Sequence, residues 1–334
     1  MRQQTGSGRK LSFEEAVDIS DEMRQRRRDR RKVIAMRVVA ALLIILAIGI
    51  GGFPTFLQYQ SAQKLQDTSN QSAQTVAGWP YPQADEMFAA AKAYNRRLAA
   101  SGQPVLGEAQ DPFSQVQGGS QSSESGAAES NGASAKDKEY QSLLDSGSGV
   151  MGTIRIPKIS VRLPIYHGTS QSALASGAGH LYGSSLPVGG RSTHAVITGH
   201  RGLVEAMMFT RLDEMRVGDY FYIEVMGRTL GYMVDRISVI EPNDTSQLKI
   251  VPGEDRVTLM TCTPYGVNTH RLLVSAVRSA IPGVVPEERN AARDARLIAV
   301  AVSAGVLVSG MLLAWLRRRP WHIRRHAAWW PKRG

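Results

Sequence analysis

The sequence predicts a mainly-β fold in which one sheet closes into a barrel at residues 150–285, with short helices around it. Short β-branched and aliphatic runs alternate there with Gly, Pro and Asn or Asp at regular spacing. A helix-forming leader precedes the barrel region. One long apolar run lies before the leader, and another lies after the barrel region. At 334 residues and 43% hydrophobic, the chain can form one core of ordinary size and still hold tails and anchors. We therefore expect one compact domain between two membrane helices.

The first apolar run, residues 38–57, follows a basic tail at residues 1–37. About 20 uncharged apolar residues is the length of a helix that crosses a bilayer. A cleaved signal peptide is the alternative. The run is longer than a usual signal core, however, and no clear A-x-A cleavage site follows Leu57. An uncleaved membrane anchor is therefore predicted.

The second apolar run, residues 297–316, precedes a basic tail at residues 317–334 that contains Trp as well as Arg. A buried core helix is the alternative, but such a helix normally shows a polar stripe. Basic and Trp residues at one end instead suit a membrane interface. The run is therefore predicted to be a second transmembrane helix.

The formal net charge of +11 comes from the two tails, because the stretch between them is nearly balanced. Positive residues favour the cytoplasmic side of a membrane, so both termini are predicted to be cytoplasmic. Residues from about 58 to 296 would then lie outside the cell, on a two-pass plasma-membrane protein. We expect the basic tails to contact anionic membrane lipid and not nucleic acid.

The extracellular leader, residues 58–149, contains two kinds of segment. Gln83 to Ser101 is rich in helix formers and repeats apolar residues every three to four positions, which predicts an amphipathic helix. Ser114 to Glu139 consists mostly of Gly, Ser and Gln with almost nothing apolar. That composition predicts a flexible loop between the helical leader and the barrel.

Seven segments of the barrel region have the composition of strands. They are Gly152–Ile156, Leu163–Tyr166, Thr193–Thr198, Tyr220–Val225, Arg228–Ile240, Arg256–Thr261 and Arg271–Arg278.

Cys262 is the only cysteine of the chain and cannot form an internal disulfide. With His200 upstream and Arg271 downstream, it is a candidate nucleophile. A thiolate cleaves an amide by adding to its carbonyl, and nearby positive charge or a base lowers the thiol pKa. In this chemistry Cys262 would attack and His200 would protonate the leaving amine. Arg271 would hold the developing negative charge or the substrate carbonyl.

Each of these residues has an ordinary alternative. An unpaired Cys at a strand end is often a small buried hydrophobe, and Arg271 could be a plain surface residue. His194 is expected within a strand. His270 and Arg271 should point to opposite faces, so only one of them can face Cys262. His200, which follows Gly199 at a strand end, is free to face a groove.

No metal or organic cofactor is expected. The histidines of the barrel region lack a clustered set of Asp, Glu or Cys partners at ligand spacing.

The run His194 to His200 (HAVITGH) and the run Thr258 to Cys262 (TLMTC), followed by Arg271, resemble the sortase family. The signature of that family is a TLxTC strand end with a His upstream and an Arg on the next strand. The resemblance covers roughly Val150 to Arg278. It implies a closed eight-stranded sortase-type β-barrel and the same three roles for His200, Cys262 and Arg271.

Further residues resemble the pilus-assembling class C branch. A helix with Tyr94 and Asn95, followed by Asp111-Pro112-Phe113, is similar to the lid of class C sortases, and a second membrane helix after the barrel is typical of them. The resemblance implies that Asp111 pairs with Arg271 and that Phe113 covers Cys262. The aromatic residue of such lids is often Trp. With Phe, which has no N–H donor, a more weakly held lid is expected.

The expected function is that of a membrane-anchored cysteine transpeptidase of a Gram-positive-type cell envelope. The resemblance implies cleavage of an LPxTG-like sorting signal between Thr and Gly, a thioester on Cys262, and transfer to a lysine amine of another pilin subunit. The expected partners are therefore pilins and surface proteins with such signals. A housekeeping sortase, a cysteine hydrolase and a noncatalytic scaffold are the alternatives.

Overall fold

The computed structural model describes residues 20–106, 132–147, 149–203 and 205–281, together with Gly305, Leu307 and Gly310. The chain divides into two compact units, residues 1–60 and residues 61–334. Within the described part, no helix is both long enough and apolar enough to span a membrane. The two transmembrane helices therefore stay predictions, and most of the second run lies outside the described residues.

The helices lie mainly before the barrel. They are α1 (Ser20–Ala77), α2 (Gln83–Ala100), α3 (Ala133–Lys136), α4 (Lys138–Ser142) and, between two strands, α5 (Gln171–Ser176). Three short 3-10 helices occur at Pro157–Ile159, Leu212–Glu214 and Ser246–Leu248.

The flexible loop predicted to extend to Glu139 is wrong over its last residues, because α3 and the start of α4 lie there. Asp137 caps α4, its Oδ1 atom accepting a hydrogen bond from the backbone N–H of Tyr140 at 3.0 Å. Tyr140 is fully buried. The helix cap and this buried aromatic residue, whose hydroxyl accepts from the N–H of Gly168 at 2.9 Å, hold the segment although its composition is polar.

Eight strands form the barrel. They are β1 (Val150–Ile156), β2 (Val161–His167), β3 (Ala178–His180), β4 (Thr193–Thr198), β5 (Tyr220–Val225), β6 (Arg228–Ile240), β7 (Asp255–Thr263) and β8 (His270–Arg278).

The strands follow the order β1-β2-β3-β4-β7-β8-β6-β5, and pairing of β5 with β1 closes the sheet. The pairs β2–β3 and β4–β7 are parallel, and the other pairs are antiparallel. The predicted closed eight-stranded barrel is confirmed. The strand prediction missed β3, which has only three residues (Ala-Gly-His) and therefore no readable alternation.

Strand β7 is buried on both of its faces from Arg256 to Cys262. Leu259 belongs to the main core inside the barrel, which also includes Phe221 and Val274. Met260, the next residue, belongs to a second apolar cluster with Val196. The nucleophile candidate Cys262 therefore lies near the end of a strand that is packed on both of its faces.

Candidate functional site

The parallel pairing of β4 with β7 brings the His200 segment to Cys262. Thr198 is the register partner of Met260, and the N–H of Gly199 donates to the carbonyl oxygen of Met260 at 3.0 Å. The Thr261 hydroxyl donates to the carbonyl oxygen of Gly199 at 2.7 Å. Extending this register by two residues places His200 beside Cys262.

The chain at His200 is fixed from its other side by the segment around Phe209. The N–H of Phe209 donates to the His200 carbonyl oxygen at 3.0 Å. A Cβ atom on Gly199 would lie 2.6 Å from Cδ2 of Phe209, which is too close for any other residue type. Gly199 is thus needed for the close approach of an aromatic ring, and this approach holds the His200 backbone in place.

Arg271 stands directly opposite Cys262 in the antiparallel pair of β7 and β8, so the two side chains share a face of the sheet. Its side chain is buried, and Nη1 donates to the carbonyl oxygens of Asn268 and His270, each at 2.9 Å. His270 is exposed, and its Nδ1 atom lies 2.9 Å from the Thr269 hydroxyl. The choice of Arg271 over His270 as the partner of Cys262 matches this geometry.

The candidate site is an open pocket of about 140 Å³. One wall comes from the segment after β4 and the other from the turn after β7. Its lining residues are His200, Arg201, Gly202, Leu203, Cys262, Tyr265, Gly266 and Asn268.

Burial defines the electrostatics of this pocket. Cys262 is 4% exposed and His200 is 7% exposed. Desolvation by burial lowers the pKa of His200 below its ordinary value, because a charged imidazolium loses hydration there. A nucleophilic thiol, an imidazole that can exchange a proton and a guanidinium with fixed donors are therefore gathered in poorly hydrated surroundings. That set can perform acyl transfer through a covalent intermediate.

Two other buried histidines have structural partners. In His194, Nδ1 lies 2.8 Å from the carbonyl oxygen of Lys249 and Nε2 lies 2.7 Å from the Thr258 hydroxyl. In His180, Nδ1 lies 2.9 Å from the Tyr140 hydroxyl. Burial lowers the pKa of each to about 4, so both are neutral at pH 7. His194 lies within β4, as the sequence predicted.

No group of three or more His, Cys, Asp or Glu side chains converges as a metal site in the described part of the chain. The predicted lid residues Asp111 and Phe113 lie outside the described residues. Sequence reasoning did not single out Arg201 or Tyr265, which line the pocket. The position of Arg201 directly after His200 was the available signal.

Residues 154–279 match the family model described as a sortase domain. The crystal structure of Streptococcus agalactiae sortase C1 is 38% identical with a TM-score of 0.55, and the match covers 66% of this chain and 100% of that one. The pilus-related sortase C of Group B Streptococcus is 38% identical with a TM-score of 0.51, covering 62% of this chain and 94% of that one.

Among curated relatives, sortase A of Streptococcus agalactiae serotype III (strain NEM316) is 30% identical over 130 residues. This match covers 38% of the chain and 52% of that relative, so the chain spans about half the length of the curated protein.

Proposed function

Because this chain belongs to the sortase family, we propose that it is a cysteine transpeptidase of the pilus-assembling class C type. The observation that carries this proposal is the opposition of Cys262 and Arg271 on β7 and β8, with His200 delivered beside them by β4. The pilus role is supported by the similarity to structures named as sortase C1 and as a pilus-related sortase C.

In the first half of the proposed reaction, the Cys262 thiolate adds to the Thr carbonyl carbon of an LPxTG-like sorting signal. The negative charge that develops on the carbonyl oxygen is held by the Arg271 guanidinium. The Thr–Gly C–N bond then breaks, and His200 gives its proton to the departing Gly amine. The product is a thioester between Thr and Cys262.

In the second half, a lysine amine of another pilin subunit attacks the thioester carbonyl. The His200 imidazole, which became neutral when it gave its proton to the Gly amine, accepts a proton from the attacking lysine amine. The C–S bond breaks, and the Cys262 thiolate leaves. An isopeptide bond joins the two subunits, and the enzyme regains its starting protonation.

We place this chemistry at the outer face of the plasma membrane, with both termini in the cytoplasm. Support comes from the basic flanks of the two apolar runs and from α1, where apolar side chains of the first run such as Leu42, Ile45 and Ile50 are exposed. Asp111 and Phe113 are proposed to cover the pocket until substrate arrives.

The test is mass spectrometry of the purified chain mixed with an LPxTG peptide. The wild type should form a thioester adduct with the N-terminal peptide fragment, and Cys262→Ala should form no adduct. The double variant Asp111→Ala/Phe113→Ala should form more adduct than the wild type. His270→Ala is the matched control, since this exposed neighbour of Arg271 should leave the adduct unchanged. Absence of any adduct with the lid residues removed would overturn the proposal.

Offering two acyl acceptors distinguishes the pilus role from cell-wall attachment. Cell-wall attachment is the alternative role, and similarity to a curated relative named sortase A supports it. Transfer to a lysine-bearing pilin peptide and not to a cell-wall peptide amine is the expected result. Transfer to the cell-wall amine alone would assign the housekeeping role.

A further inference from the structure

The side chain of Arg201 joins three segments at the edge of the pocket. It is only 7% exposed, although it carries a charge. Nη2 donates to Oδ2 of Asp213 at 2.5 Å, and Nη1 donates to the Thr263 hydroxyl at 3.3 Å. The guanidinium carbon also lies 5.8 Å from the ring centroid of Tyr265. One planar group therefore contacts an acid, a hydroxyl and an aromatic face.

The segments of Thr263 and Tyr265 adjoin the catalytic set. Thr263 directly follows Cys262 at the end of β7. Tyr265 belongs to the turn between β7 and β8, and the carbonyl oxygen of Asn268 in the same turn accepts from Arg271. Arg201 thus connects the backbone next to His200 with the turn that holds Arg271.

The Asp213 end of this contact is anchored on the segment that fixes His200. Asp213 lies in the 3-10 helix Leu212–Glu214, and the N–H of Leu212 donates to the carbonyl oxygen of Phe209 at 3.0 Å. Phe209 in turn holds the His200 carbonyl.

The register between β4 and β7 ends at Thr198, two residues before His200. Beyond it, the N–H of Gly199 donates to Met260 and the Thr261 hydroxyl donates to Gly199, and the pocket follows, with His200 on one wall and Tyr265 on the other. Gly202 and Tyr265 approach each other closely there, because a Cβ on Gly202 would lie 3.2 Å from the Tyr265 ring. Arg201 therefore contacts both walls just beyond the last of these contacts between β4 and β7.

We propose that Arg201 is a positioning residue for acyl transfer, and that its guanidinium sets the separation of His200 from Cys262 and Arg271. This inference rests on the proposed function and adds a residue to it. The shape of the group matters: a planar fork can bind Asp213 and Thr263 while its charge lies over the Tyr265 ring, whereas a lysine ammonium cannot make all three contacts.

Arg201→Ala should lower kcat for transfer from an LPxTG peptide by about tenfold or more while KM changes by less than about threefold, because small displacements of reacting groups are costly. Arg201→Lys should recover only part of the rate. Asp213→Asn should act in the same direction, and Arg201→Ala combined with Asp213→Ala should be no slower than Arg201→Ala, since both remove one network.

Arg211→Ala is the matched control. Arg211 pairs with Glu214 of the same 3-10 helix but does not line the pocket. Its loss should leave kcat within about twofold, because a single ion pair with a half-exposed carboxylate contributes little to stability. Unfolding curves of all variants identify those that fail to fold. A folded Arg201→Ala enzyme with unchanged kcat, or with raised KM alone, would overturn the positioning role.

Alkylation of Cys262 by iodoacetamide supplies a readout that needs no peptide substrate. Its rate against pH depends on how His200 and Arg271 are placed around the thiol. Arg201→Lys keeps the positive charge, so a shifted profile in this variant reports displacement, and Arg211→Ala should match the wild type. Unshifted profiles in both Arg201 variants would overturn the positioning role of Arg201. Absence of a peptide adduct in the wild type is a separate outcome, and it would reject the proposed function.

Discussion

Cys262 and Arg271 are directly opposed residues of the β7–β8 pair, and Nη1 of Arg271 donates to two backbone carbonyl oxygens. These two contacts restrict the rotation of the guanidinium. Arg271 therefore supplies direction as well as charge, and its replacement by another cation is not conservative.

The first prediction concerns Arg271→Lys. An ammonium keeps the charge but cannot reproduce a fixed fork that both binds the Asn268 and His270 carbonyls and faces the substrate. Loss of an oriented donor to a developing oxyanion typically lowers kcat by about 10²–10³-fold. Steady-state transfer from an LPxTG peptide measures the effect. Unchanged kcat in the Lys variant would show that charge alone suffices.

The second prediction concerns Gly199→Ala. The new methyl group would lie 2.6 Å from the Phe209 ring, so either the ring or the His200 backbone must move. We expect kcat to fall by about tenfold or more, since the shift reaches a reacting group. The additional change Phe209→Leu should recover part of the loss by removing ring atoms. Gly78→Ala is the control, because its Cβ would meet only ordinary contacts at 3.5 Å.

The third prediction concerns stability against pH. His180 and His194 have pKa values of about 4 in the folded chain, against about 6.5 when unfolded. Between these values the unfolded state binds protons that the folded state excludes, so stability is full above pH 6.5 and falls as the pH drops toward 4. Each histidine contributes a slope of about 1.4 kcal/mol per pH unit in that window.

Denaturant unfolding at several pH values between 7.5 and 4 measures this slope. His194→Gln should flatten it, whereas the exposed His270→Gln should leave it unchanged. A pH-independent midpoint across the window would contradict the assignment. Carboxylates with lowered pKa, such as Asp235, act below about pH 5, so the slope between pH 6.5 and 5 reports the histidines.

The fourth prediction concerns Asn95 on α2. Its side chain donates to the carbonyl oxygen of Leu186 at 2.9 Å and accepts from the N–H of Leu186 at 2.8 Å. Asn95→Ala leaves two buried backbone groups without these partners, which should cost about 2–4 kcal/mol of unfolding free energy. The exposed neighbour Arg96→Ala should cost almost nothing. Chemical denaturation checks both, and equal midpoints would reject the role of this contact.

The barrel could be predicted because seven strands carry a local pattern of β-branched residues bounded by turn residues, and because the motifs around His200 and Cys262 resemble a known family. Strand β3 could not, since its pairing with β2 and β4 is decided by neighbours and not by its own three residues. The helix α3 was missed for a related reason: its polar sequence is held by the neighbouring helix α4, where Nε2 of Gln141 donates to the carbonyl oxygen of Ser134 at 3.0 Å.

The sequence predicted the three candidate catalytic residues of the site, but it did not predict the other residues that line the pocket around them. Nothing local in the sequence shows that Arg201 contacts Tyr265, because the two lie on loops joined only through the parallel β4–β7 pairing. The predicted roles of His200, Cys262 and Arg271 stay predictions until the substrate experiments are done.

The parallel pairing of β4 with β7 also separates the site into parts that form at different times during folding. Cys262 and Arg271 belong to one local hairpin, and hairpins form in about 1–10 μs. His200 joins them only through a long-range pairing that spans the β5–β6 segment, and such contacts form more slowly. The thiol and the cation are thus brought together by a local pairing, whereas the proton donor is added by a long-range one, so the complete set of three side chains requires the closed barrel.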